Sequence, residues 1–172
     1  MKIDEEYKKK VASAKLLHEK ARYLRGRFLN YVAVIEHDIA VILTKYFCTE
    51  DEEKRALFFT KIAENLSLQR KKEILIEIVR NDYPRYWEEH KQFLNDLKSI
   101  QELRNKLAHS ILDVSDEALA RPLEEGVGFI QWKKGEPITE AEFEDWEMRS
   151  NMLSSTLAEI KRLLPFKETP IA

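Results

Sequence analysis

Apolar residues recur along this chain in steps of three and four, the spacing of one face of an α-helix. Tyr7, Val11, Ala14, Leu17, Ala21 and Leu24 mark a first helix that ends near Gly26. Phe28, Val32, Ile35, Ile39, Ile42 and Tyr46 follow as a second stripe that must face neighbouring helices. Thr49, with Glu52 three residues on, has the spacing of a capping box and opens a shorter helix through Leu57, Phe58 and Ile62. Ser67 caps the next, with Ile74, Leu75, Ile78 and Val79 turned inward, and Asn81-Asp82-Tyr83-Pro84 breaks it. A long helix is predicted from about Tyr86 to His109, its stripe stepping through Phe93, Leu97, Ile100, Arg104, Leu107 and Ile111.

Residues 112–138 depart from this pattern. They hold three of the chain's four glycines and two of its five prolines, and Gly126 to Trp132 alternates enough for a strand. A loop and a small β-hairpin are predicted there. Thr139 with Glu142 forms a second capping box, opening a last helix through Trp146, Leu153, Leu157, Ile160 and Leu164. Helical stripes of this kind bury themselves against one another. The expected fold is therefore all-α: a single-domain antiparallel helical bundle of about five to six helices over residues 1–172, with a small β-hairpin insert before the last helix.

Composition agrees, since so few glycines and prolines leave little turn chemistry for a strand-rich fold. No apolar run reaches the roughly 18 residues that cross a bilayer, and the start Met-Lys-Ile-Asp-Glu-Glu-Tyr-Lys lacks a signal-peptide apolar segment. The single Cys48 excludes an internal disulfide and suits a small apolar filler near a helix end. A cytoplasmic protein without cofactor or metal, and without membrane contact, is the expectation. Charge is unevenly spread. Residues 1–30 carry nine Lys or Arg against four Asp or Glu; residues 116–147 carry three against ten. The basic third, with Lys8-Lys9-Lys10, is either a solvated helix face or a surface for phosphates, and the acidic stretch argues against a DNA duplex wrapping that side.

The most informative chemistry lies in Arg104-Asn105-Lys106-Leu107-Ala108-His109. Arg104 stands where the long helix's stripe expects Leu or Ile. An unpaired buried charge costs several kcal/mol, so three explanations compete: a core carboxylate such as Glu36 or Asp96, a subunit interface, or an anionic ligand. His109 in a last helical turn is favoured by the helix dipole and can bond free carbonyls. On an ideal helix, positions 104 and 109 are turned about 140° apart, whereas Asn105 and His109 share a face.

The run Leu103-Arg104-Asn105-Lys106-Leu107-Ala108-His109-Ser110, on the penultimate long helix of a small α-bundle, resembles the Arg-polar-x-x-x-His motif of the HEPN domain family. Val34-Ile35-Glu36 through Tyr46-Phe47 resembles that family's early helix, where an acidic residue often lies near the site. The resemblance implies metal-independent RNA cleavage of a toxin–antitoxin or phage-defence kind, at a cleft formed by a homodimer. His109 would be the acid/base and Arg104 the phosphate clamp, with Asn105 and Glu36 in support. RNA would be the substrate, and a cognate antitoxin or regulatory protein a possible further partner. Histidine exchanges protons near neutral pH, and a guanidinium forks onto two phosphate oxygens. Members modified by a partner nucleotidyltransferase often carry Tyr two residues after the His, where this chain has Ile111. Some HEPN-like proteins cleave nothing and act as regulators or scaffolds, which is the alternative expectation.

Elsewhere the signals are thin. His18, His37 and His90 lack metal-ligand spacing, and Glu36-His37-Asp38 fan out around a helix. No glycine-rich phosphate loop or nucleophile elbow is present. Tyr83, Tyr86 and Trp87 could stack on bases, but such a cluster more often plugs the end of a bundle.

Overall fold

A computed structural model of the chain describes residues 4–48, 51–130 and 137–164. The chain is all-α with a small antiparallel sheet inserted before its last helix. Seven α-helices are present among the described residues: α1 (Glu5–Phe47), α2 (Glu52–Phe58), α3 (Leu68–Asp82), α4 (Pro84–Glu89), α5 (Gln92–His109), α6 (Asp116–Ala120) and α7 (Glu140–Leu163). Strands β1 (Ile111–Leu112), β2 (Val127–Ile130) and β3 (Pro137–Ile138) pair antiparallel in the order β1-β2-β3.

The expected helix end near Gly26 is absent, because α1 is one continuous helix of 43 residues. Leu17, Ala21, Leu24, Phe28, Val32, Ile35, Ile39 and Ile42 form an unbroken buried stripe through the glycine. A lone glycine costs only about 1 kcal/mol relative to alanine inside a helix, too little to stop one whose stripe continues in phase. The predicted long helix from Tyr86 is instead two, since α4 ends at Glu89 and α5 begins at Gln92. His90 Nδ1 lies 3.0 Å from the Tyr86 carbonyl oxygen, and the two rings stack at 3.9 Å.

Local signals fix most other boundaries. The side chain of Ser67 accepts from the Arg70 N–H and caps α3, and Pro84 opens α4. The helix after the first predicted capping box is capped by Asp51, whose carboxylate accepts from the Lys54 N–H; Thr49 lies outside the described residues. A π-turn over Phe59–Ala63 follows α2. Thr139 and Glu142 form a reciprocal capping box: the Thr139 N–H donates to Glu142 Oε2 at 2.8 Å, and the Glu142 N–H to Thr139 Oγ1 at 3.2 Å. Gly126 enters β2 at φ +112°, where a Cβ would lie 2.4 Å from the Ile138 carbonyl oxygen, so only glycine fits. The predicted strand over Gly126 to Trp132 is seen as β2, and Trp132 lies outside the described residues.

The residues cluster into two compact units. The first holds residues up to Asn30 and Leu103–Met148: the start of α1, the last turns of α5, the sheet, α6 and the start of α7. Its core joins Leu24, Leu107, Phe129 and Phe28, the last meeting Phe143 and Trp146 edge to face at 6.5 and 6.3 Å. The second holds Tyr31–Glu102 and the chain from Arg149 onward, with Ile35, Ile39, Leu75, Leu97, Leu153 and Leu157 fully buried. There Tyr86 donates to Glu159 at 3.2 Å; burial, and then the carboxylate, push its hydroxyl pKa up to about 12. Trp87 lies under the Arg80 guanidinium, and Tyr83, Tyr86 and Trp87 are each half-buried.

Gly26→Ala should stabilise the protein by about 1 kcal/mol, because beyond its own turn of helix nothing lies within 4 Å of the added methyl group; an unchanged or lower urea midpoint would contradict the continuous helix. Hydrogen bonds from Thr139 hold the Glu142 carboxyl below its usual range. Its stabilisation is therefore full above the unfolded carboxylate pKa and lost as pH falls through the folded value. The destabilisation by Glu142→Gln should accordingly be present at neutral pH and fade in acid, as read by thermal melts.

Candidate functional site

The last turns of α5 carry the motif, and all of it belongs to the first unit. Which side α5 buries is decided by its aliphatic residues. Phe93, Leu97, Ile100, Leu103, Leu107 and Ser110 point inward, with Leu103 at 7% exposure. Arg104 therefore does not occupy the core position expected of it. From Ile100, steps of three or four both stay on one helical face, and burial selects the leucine over the guanidinium. Ile111, also expected on the stripe, is 72% exposed.

Arg104 is half-buried, and Asn105, Ala108 and His109 are exposed. The Arg104 Nη1 donates to Asn105 Oδ1 at 3.3 Å and meets no carboxylate among the described residues. Of the two carboxylates considered for it, Asp96 accepts instead from Gln92 at 3.3 Å. Glu36 belongs to the second unit, where it is half-buried with no hydrogen bond or ion pair among the described residues. Thus Arg104, Asn105 and His109 share the end of one helix. His109 closes α5, and its ring makes no hydrogen bond among the described residues, so it does not cap a carbonyl of its helix. Five residues of helix separate it from Arg104 by about 7.5 Å of rise and 140° of turn. Convergence on one phosphate therefore needs the reach of the arginine or a second copy of the motif.

Surrounding charge sets these residues apart. The basic start of α1 is answered by the acidic segment of the same unit. Lys10 pairs with Asp116 at 3.1 Å, Lys20 with Glu140 at 3.3 Å, and Arg27 with Glu147. Lys8 pairs with Glu5 on its own helix. The attraction of Lys106 helps to lower the Glu142 pKa, after the hydrogen bonds from Thr139. Exposed pairs contribute only about 0–1 kcal/mol each. They still mark these cations as occupied, whereas Arg104 meets no counter-charge among the described residues.

One residue near the motif was not singled out from the sequence. Arg25 of α1 donates from Nη2 to the Ser110 carbonyl oxygen at 2.8 Å and lies 4.9 Å above the Phe129 ring. It thereby ties the residue after His109 to α1. The Ser110 hydroxyl turns back to the Lys106 carbonyl oxygen. Arg25 was visible only as one of many basic residues, since contacts at a separation of 85 positions leave no local pattern.

Among the described residues no three His, Cys, Asp or Glu side chains gather as a metal ion would require, and no helix is long and apolar enough to cross a membrane. His37 meets the Phe59 ring edge-on at 5.5 Å. Cys48 follows α1, half-buried, and burial raises its thiol pKa.

Leu103→Ala should cost about 2–4 kcal/mol and Arg104→Ala less than about 1 kcal/mol, because only the first empties a core position. Chemical denaturation of both variants checks this, and the reverse order would restore Arg104 to the seam. No protein-family model, curated protein or solved structure matches this chain.

Proposed function

We propose that this protein is a metal-independent endoribonuclease of the toxin–antitoxin or phage-defence type, similar to HEPN-domain ribonucleases and acting on RNA as a homodimer. The observation that carries this reading is the state of the motif: Arg104 faces no carboxylate among the described residues, and His109 and Asn105 stand in solvent at the end of α5. An arginine, an asparagine and a histidine left open to solvent on one helix end are free to meet a phosphate.

His109 takes the proton from a ribose 2′-OH as general base. The 2′-oxygen attacks the adjacent phosphorus, the bond to the 5′-oxygen breaks, and the leaving oxygen is protonated by an imidazolium. Arg104 holds the non-bridging oxygens as charge grows on them, and Asn105 orients phosphate or imidazole by hydrogen bonding. The products are a 2′,3′-cyclic phosphate and a 5′-hydroxyl. DNA lacks the nucleophile and stays intact. Glu36 keeps only a supporting role in this scheme.

One observation favours a second reading. A groove of the first unit takes in Ser110 but neither Arg104 nor His109, and Asn105 and His109 stand on an exposed face. A non-catalytic HEPN-like dimer that binds RNA, an antitoxin or another regulatory protein is compatible with such a face.

Purified protein should cleave single-stranded RNA with EDTA present and leave cyclic-phosphate ends. His109→Ala should lower the rate by about 10²–10⁴-fold with unchanged circular dichroism. A variant that cuts as fast as the parent removes the mechanism. A dimer that binds RNA without cutting it establishes the second reading.

A further inference from the structure

Residues 18–29 of α1 and 110–114 around β1 face each other across a groove of about 610 Å³, all within the first unit. That volume lies in the range of about 300–1,000 Å³ typical of ligand clefts. Its apolar lining comes from Leu29, Leu112 and Val114, and its charge from His18, Arg22 and Arg25. No Asp or Glu lines it, nor any Phe, Tyr or Trp. His18 and Arg22 are exposed and have no ion pair among the described residues, in contrast to Lys10, Lys20 and Arg27 on the same helix. Arg25 ties one end of the groove to Ser110, and its buried Nε has no hydrogen-bond partner.

The far wall is an edge strand. Among the described residues β1 pairs only with β2, in the register Ile111↔Ile130 and Leu112↔Phe129. The Asp113 N–H donates to the Gly128 carbonyl at 2.9 Å, so Asp113 and Ile111 direct their backbone groups toward β2. Leu112, between them, presents its N–H and C=O to the opposite edge, facing α1 across the groove. Neither group has a hydrogen-bond partner among the described residues. Leu112 is 9% exposed and lines the groove, and backbone groups left unpaired on a strand are a template for another extended chain.

We infer that this groove binds an extended acidic peptide segment of a partner protein, added beside β1 as a further strand. Its backbone would pair with Leu112, its apolar side chains would rest on Leu29 and Val114, and its carboxylates would meet Arg22 and His18. In such strand addition backbone bonds give affinity and pockets for alternate side chains give selectivity. Single-stranded nucleic acid is disfavoured by the aliphatic lining, because bases bind on aromatic platforms. Ser110 both follows His109 and lines the groove, so the occupant lies one residue from the motif. Peptide capture here does not depend on RNA cleavage by Arg104 and His109.

Selection of a random octapeptide display library on the full-length protein tests this. Enriched sequences should alternate apolar residues with Asp or Glu. The tightest synthetic peptide should shift the backbone amides of residues 18–29 and 110–114 and slow hydrogen exchange at Leu112. Arg22→Glu, on an exposed helix face, should weaken it at least tenfold. N-methylation of alternate peptide bonds should weaken it comparably without any change to the protein. Failure to enrich, enrichment of basic peptides, indifference to Arg22→Glu or to N-methylation, or an oligouridylate moving the same amides would each overturn the inference.

Discussion

The buried stripe of α1 is the constraint on which the rest of this structure depends. Leu17, Ala21, Leu24 and Phe28 are buried in the first unit, and Val32, Ile35, Ile39 and Ile42 in the second. Burying one large aliphatic or aromatic side chain contributes about 1.5–3 kcal/mol, against a backbone ordering cost of about 1–2 kcal/mol per residue. A helix of 43 residues therefore persists only if its stripe is covered along its length. In the first unit that cover comes from the end of α5, the small sheet and the start of α7. The segments that carry the chemistry are thus held in place by hydrophobic cover.

Charge is sorted on top of this frame. The acidic segment after residue 115 folds against the basic start of α1, and Lys10, Lys20 and Arg27 find carboxylates there. The opposed charges of two distant stretches thereby become one unit's internal pairing, and the N-terminal third is less of a phosphate surface than its composition suggests. Arg22 and Arg104 are left without a counter-charge among the described residues. One borders an apolar groove beside an open strand edge, and the other stands at the end of α5 near an exposed histidine.

Much of the fold was legible because its signals are local. The capping pair Thr139 and Glu142, the cap at Ser67 and the break at Pro84 each act within a few residues. The phase of the stripe through Gly26 was equally readable, and weighing the glycine above the phase produced a false boundary. Position 104 illustrates the opposite case. Steps of 3.6 residues leave 103 and 104 equally compatible with Ile100, and only packing on a real neighbour chose Leu103.

By itself the sequence determined the helical class, most helix boundaries, the place of the sheet and the motif Arg104 to His109, since propensity, capping and periodicity are properties of neighbouring residues. Tertiary structure alone decided that Arg104 lies beside the core instead of in it, that Glu36 falls in the other unit, and that Arg25 grips the Ser110 carbonyl. It also decided that Leu112 lines a groove with its backbone unpaired among the described residues. Each of these depends on which distant surfaces meet, and the cost of burying charge or leaving a backbone group unbonded is fixed only when they do.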